Sequence, residues 1–121
     1  MEISIGKVFE FEACHHLGNE KIYGKCSKLH GHTYKMEIEI TGMINQYGWI
    51  CDFSELKKIV SDFILNRYDH AYINEFIEVP TAENMIIDIY KILNNKLKEQ
   101  NLILKKIKLY ETSTNYAMLA I

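Results

Sequence analysis

At 121 residues, with 48% hydrophobic and 25% charged side chains, the chain is long enough to bury one real core without disulfide or metal staples, and a single domain over 1–121 is expected. A net charge of −2, with no long basic run and no basic-aromatic stripe, argues against nucleic-acid binding. Cysteines at the irregular positions 14, 26 and 51 make no disulfide framework, the N-terminus opens on alternating sequence instead of a charged-then-apolar signal, and the apolar runs fall far short of the roughly 20 residues that span a bilayer; a cytoplasmic protein with reduced thiols and no membrane contact is expected.

Residues 2–13 alternate, with Ile3, Ile5, Phe9, Phe11 and Ala13 on one face and Glu2, Ser4, Glu10 and Glu12 on the other, which predicts a strand with one buried side. His15 continues the apolar register. From His16 to Leu29 no period holds and Gly18, Asn19 and Gly24 intervene, so a loop is predicted, locally positive through Lys21, Lys25 and Lys28 against Glu20 alone. His32, Tyr34, Met36, Ile38 and Ile40 then alternate with Thr33, Lys35, Glu37, Glu39 and Thr41 in a second half-buried strand. Gly42 and Gln46-Tyr47-Gly48 mark a turn, and Asp52 or Ser54 can cap a helix whose Phe53, Leu56, Ile59, Val60, Phe63 and Ile64 recur at helical spacing to about Arg67. An irregular connection, Asn74 to Val79, closes at Pro80. Thr81 caps a second helix carrying Met85, Ile86, Ile89, Leu93 and Leu97 to about Gln100, with Asn101 as its stop. The period then returns to two: Ile103, Ile107, Leu109 and Glu111 share one face and Leu104, Lys106, Lys108 and Tyr110 the other. After the turn Thr112-Ser113-Thr114-Asn115, Tyr116 to Ile121 is a short final strand.

The order strand-strand-helix-helix-strand-strand (ββααββ) predicts an α+β fold: an antiparallel four-stranded sheet with both helices on one face. Nothing in the sequence covers the sheet's two edges, and the final strand is short and apolar, so pairing with further copies of the chain is expected.

Successive strand side chains point to opposite faces, so His30 and His32 project side by side, about 6.7 Å apart, from the apolar face. If the first two strands are antiparallel neighbours, His15 meets them, and three imidazoles with a vacant fourth position have the form of a catalytic zinc site. Core or capping histidines remain the alternative. His16 adjoins in the opposite register, and the period of two favours His15. Cys26 is either a small buried hydrophobe or a reactive thiol, with Lys25 and Lys28 favouring the thiolate. Asp69-His70 reads as a helix terminus or as an oriented proton-transfer pair. Glu111 is a strand-end carboxylate whose inward register suits it to grip a ligand's N–H groups.

Taken together, Cys26-x3-His30-Gly31-His32, Phe11-Glu12-Ala13-Cys14-His15, Asp69-His70, Pro80-Thr81-Ala82-Glu83-Asn84 and Tyr110-Glu111-Thr112 give the chain a resemblance to the 6-pyruvoyl-tetrahydropterin synthase family over nearly its whole length. The three-residue spacing between the cysteine and His-Gly-His is similar to that of the bacterial branch, the 6-carboxy-tetrahydropterin synthases of queuosine precursor biosynthesis. The resemblance implies the tunnelling fold, zinc on His15, His30 and His32, Cys26 as general base, a proton relay through Asp69 and His70, and Glu111 with Thr81 at the pterin ring. It further implies a pterin triphosphate substrate and a homohexamer built as a dimer of trimers, with active sites between subunits. Lys25 and Lys28, with Lys21, are candidates for the triphosphate. Cys14 and His16 depart from the alanine and arginine of many relatives, and the exchange at 16 loses a permanent charge.

Overall fold

The computed structural model describes residues 1–121. Strands β1 (Ser4–His15) and β2 (His30–Thr41) pair antiparallel from Ser4 against Thr41 to His15 against His30, the long hairpin that the two alternating stretches predict. A two-residue strand β3 (Ala71–Tyr72) lies parallel to β1, and β4 (Ile103–Tyr110) and β5 (Tyr116–Ala120) extend the other side, giving the order β3-β1-β2-β4-β5. The fold is α+β as expected, but the sheet has five strands and is mixed. Two residues are too few to carry a period, which is why β3 leaves no trace in the pattern.

The unpatterned stretch between β1 and β2 holds a short helix α1 (Glu20–Tyr23), capped by Asn19, and a tight turn Gly24–Ser27. Asp52 caps α2 (Phe53–Val60) through its carboxylate and Ser54 N–H; the helix continues through a wider π turn, Ser61–Leu65, into α3 (Asn66–Tyr68). A π turn holds one residue more than an α turn and rotates the residues beyond it about the helix axis. Ile64 therefore takes the core position and Phe63, predicted inward, is 38% exposed beneath the Lys96 ammonium. Phe53, also expected inward, is exposed at the first position of α2. Helix α4 (Ala82–Lys98) is capped by Thr81, whose Oγ1 accepts Asn84 N–H at 3.1 Å, and Asn101 turns the chain out of it with φ 58°.

One core of 24 buried hydrophobic residues fills the space between the sheet and the helices. From α4 it takes Met85, Ile86, Ile89, Leu93 and Leu97; at about 1.5–3 kcal/mol for each fully buried side chain, this face outweighs any helix propensity. In β4 the expected faces change midway. Glu39 pairs with Lys106 but Ile40 with Leu104, so Lys105 is a bulge. It places Leu104 inside beside Ile107 and Leu109 and turns Ile103 out, reversing the reading of both. Ile3 is likewise exposed, since it precedes the paired part of β1.

Candidate metal centre and its surroundings

The hairpin register builds the site. His15 lies opposite His30 and Ala13 opposite His32, so three imidazoles leave the helix-covered face together, with ring centroids 4.6–5.2 Å apart. Pairing of Lys35 with Tyr110 carries Glu111 one residue further, opposite Tyr34, from where its carboxylate reaches His32. His15, His30, His32 and Glu111 each bring one donor atom, all within 4.8 Å of one another.

The hydrogen bonds determine which nitrogens are bare. His15 Nδ1–H donates to the Pro80 carbonyl at 2.8 Å and His30 Nδ1–H to the Lys28 carbonyl at 2.7 Å. A carbonyl only accepts, so both protons sit on Nδ1 and both Nε2 atoms present lone pairs, yet these two Nε2 atoms are 3.1 Å apart. His32 Nε2 is shielded from solvent and has no hydrogen-bond partner; Glu111 Oε1 lies 3.0 Å away but is not aligned for a bond. Lone pairs pointed at one another repel unless a cation lies between them. Backbone carbonyls on the far ring nitrogens are the usual support of metal-ligating histidines. The donor set therefore fits a divalent transition-metal ion.

Burial favours the neutral form of two of the imidazoles. Burial pushes His15 and His32 below the ordinary histidine pKa; the Pro80 carbonyl partly offsets this at His15, and the Glu111 carboxylate at His32. Burial, with Glu111 and Cys14 adding to it, raises the phenol of Tyr34, whose hydroxyl lies 3.4 Å from His15 Nδ1.

The remaining predicted residues fall in separate places. Cys26 is half-buried in the Gly24–Ser27 turn, whose backbone is tied to the end of β1 by Leu17 N–H donating to the Cys26 carbonyl at 2.8 Å. Lys21, Lys25 and Lys28 are exposed around it. Asp69 and His70 end the helical segment beside β1. The Glu12 N–H donates to Asp69 Oδ1 at 3.0 Å, His70 Nδ1 lies 3.1 Å from that oxygen, and His70 N–H donates to the Glu12 carbonyl. The Glu12 bond, aided by His70, holds the Asp69 carboxyl below its usual pKa. His70 takes φ 60°, a left-handed conformation worth roughly 1 kcal/mol of strain or more, held by these bonds. Its imidazole is 78% exposed and lines a hollow of about 410 Å³ with Glu12, Cys14 and Thr33, a hollow that His32 also borders. His16, the alternative to His15, stacks on Tyr72 while the Asn74 amide pairs with its backbone at 3.0 and 2.9 Å.

Sequence reasoning missed the carbonyls of Pro80 and Lys28, since backbone acceptors leave no mark on residue identity. It also placed Glu111 at a ligand alone, although the inward register that marked it would have allowed a place among the metal donors.

The profile of the family described as 6-pyruvoyl tetrahydropterin synthase matches residues 4–120. A protein of Archaeoglobus fulgidus provisionally named 6-carboxy-5,6,7,8-tetrahydropterin synthase is 35% identical over 116 residues, covering 96% of this chain and 94% of its own. The Haemophilus influenzae 6-carboxy-5,6,7,8-tetrahydropterin synthase is 34% identical, covering 93% of this chain and 94% of its own. The structure of Caenorhabditis elegans 6-pyruvoyl tetrahydropterin synthase superposes with a TM-score of 0.87 at 25% identity, covering 100% of this chain and 96% of that one.

Proposed function

This chain belongs to the 6-pyruvoyl tetrahydropterin synthase family, and on that premise we propose that it is a zinc-dependent lyase, 6-carboxy-tetrahydropterin synthase. It converts 7,8-dihydroneopterin triphosphate and water to 6-carboxy-5,6,7,8-tetrahydropterin, acetaldehyde and triphosphate, a cytoplasmic step toward queuosine and other 7-deazaguanines. The carrying observation is the pair of bare Nε2 atoms of His15 and His30, 3.1 Å apart with both Nδ1 protons held by carbonyls, beside the unpartnered Nε2 of His32. His15, His30 and His32 hold the zinc. When bound, it supplies Lewis acidity that makes the side-chain hydroxyls of the substrate easier to deprotonate.

The chain's own groups then move protons and hold the ring. Cys26, as thiolate, removes a side-chain proton and His70, oriented by Asp69, returns one. Glu111 accepts charge-assisted bonds from the pterin N–H edge, and Thr81, whose hydroxyl proton is free because its oxygen only accepts in the cap, donates nearby. Exposed Lys25 and Lys28, with Lys21, meet the triphosphate as mobile point charges. The exposure of His70 outside the imidazole cluster supports active sites shared between subunits of a hexamer, in which one chain's Asp69-His70 serves another's metal centre.

A second reading, 6-pyruvoyl-tetrahydropterin from the same substrate, is favoured by the close superposition on the Caenorhabditis elegans enzyme. Mass spectrometry of the products from purified protein and dihydroneopterin triphosphate decides between them. A carboxypterin with acetaldehyde is the expected outcome. A pyruvoyl or hydroxymethyl pterin selects a relative's reaction, and no turnover by zinc-loaded protein leaves a non-catalytic pterin-binding oligomer.

A further inference from the structure

We propose that Glu111 is a fourth, displaceable donor to the three-histidine site: without substrate its carboxylate closes the cage, and an incoming pterin ring draws it out into the adjoining hollow. This rests on His15, His30 and His32 being metal donors. The four donor atoms fall into two close pairs, His15 Nε2 with His30 Nε2 at 3.1 Å and His32 Nε2 with Glu111 Oε1 at 3.0 Å, and none is more than 4.8 Å from another. Donors about 2.0–2.2 Å from a shared tetrahedral centre stand about 3.3–3.6 Å from one another, so two opposite edges of such a tetrahedron are short of that by only about 0.2–0.6 Å. Hydrogen bonding does not account for the second edge. His32 Nε2 has no hydrogen-bond partner although the carboxylate is within reach, and two groups that approach without bonding each other are placed as co-ligands of one ion are.

The same side chain borders a hollow of about 450 Å³ with Ala82, Glu83, Asn115, Tyr116 and Ala117. The backbone of Glu111 is fixed, its N–H donating to the Asn115 carbonyl at 3.0 Å, so exchange between cage and hollow needs only the side chain to turn. A flat ring with adjacent N–H groups in that hollow offers the carboxylate charge-assisted bonds that compete with metal ligation. A closed four-donor site is inert and a three-donor site with an open position is reactive. Glu111 thereby couples ring recognition to opening of the metal: a polyol lacking the ring meets a filled site, and the substrate frees the position its own hydroxyls then occupy.

The test is visible absorption of the cobalt(II)-substituted protein, parent against Glu111→Gln, with Glu111→Asp as a charge-preserving variant with a shorter reach, should Glu111→Gln fail to fold. The probe is unsubstituted pterin, which has no side-chain hydroxyls to chelate with. The parent and both variants should differ in spectrum before any pterin is added, and pterin should shift the parent's spectrum but not that of Glu111→Gln. Cobalt affinity of Glu111→Gln should fall by at least the roughly tenfold that loss of an outer-shell partner costs. Cobalt-loaded parent and variants with the same spectra and affinity overturn the proposal and leave the three-histidine site standing. A parent that binds no cobalt overturns both.

Discussion

Replacing Asp88 by alanine removes the anchor that holds the end of the α3 segment against α4, and the structure gives the size of the loss. The Asp88 carboxylate accepts two bonds from Arg67, Nε to Oδ2 at 2.9 Å and Nη2 to Oδ1 at 3.0 Å, and one from the Tyr68 hydroxyl at 2.6 Å. Arg67 is about a third exposed and lies over the Phe76 ring at 4.0 Å, so its ion pair is a partly screened contact contributing about 0.5–1 kcal/mol. Tyr68 is fully buried, and its bond to a carboxylate is of the charge-assisted kind, about 1.5–3 kcal/mol. The sum is about 2–4 kcal/mol, against about 1 kcal/mol for Tyr68→Phe, which removes donor and demand together. Urea denaturation at one fixed protein concentration measures both, since assembly would make the midpoint concentration-dependent. Tyr68 precedes Asp69-His70, so Asp88→Ala should also lower turnover more than pterin affinity. An Asp88→Ala protein within about 0.5 kcal/mol of the parent, the range of ordinary surface changes, refutes the accounting.

Four further outcomes are expected. Because burial keeps His15 and His32 below the ordinary histidine pKa, the unfolded chain binds more protons than the folded one between those lowered values and about 6.5; the stability of chelator-treated protein should be fully present above that window and fall as pH drops through it, and a flat profile from about pH 5 to pH 7.5 contradicts this. Cys26→Ala should keep metal and bind pterin by fluorescence titration yet lose about 10²–10⁴-fold in single-turnover rate; normal turnover would make Cys26 a packing residue. Gly31→Ala should fold with stability unchanged or slightly raised, because a Cβ there meets only the Ala13 carbonyl at 3.5 Å and Cys14 Cβ at 4.0 Å; a loss above about 1 kcal/mol in urea denaturation runs against the geometry. Light scattering should give a mass near six times 14.2 kDa, and an active monomer would rule out sites shared between subunits.

Periods are the part of the fold that the chain discloses before folding. Both strands of the hairpin, α4 and the first helix up to its π turn are legible because each carries an uninterrupted repeat, and from the hairpin alone His15, His30 and His32 emerge as neighbours. Interrupted repeats misled. The π turn moved Phe63 outward and the Lys105 bulge exchanged Ile103 for Leu104, each a single-residue slip invisible to a pattern that assumes constant pitch. Glu111 kept its inward register because it lies beyond the bulge, on the same side as Ile107 and Leu109. Long-range polar contacts had no signal at all: Pro80 supports His15 from 65 residues away, and Asn74 pins His16 from 58.

Stripping the protein with a chelator and titrating zinc back while product formation is monitored tests the central claim most directly. The account predicts that turnover of dihydroneopterin triphosphate disappears with the metal and returns in proportion to zinc, reaching its limit at one ion per chain, and that His32→Ala neither retains the ion nor regains activity. Undiminished turnover by the stripped protein, or full zinc retention by His32→Ala, contradicts it.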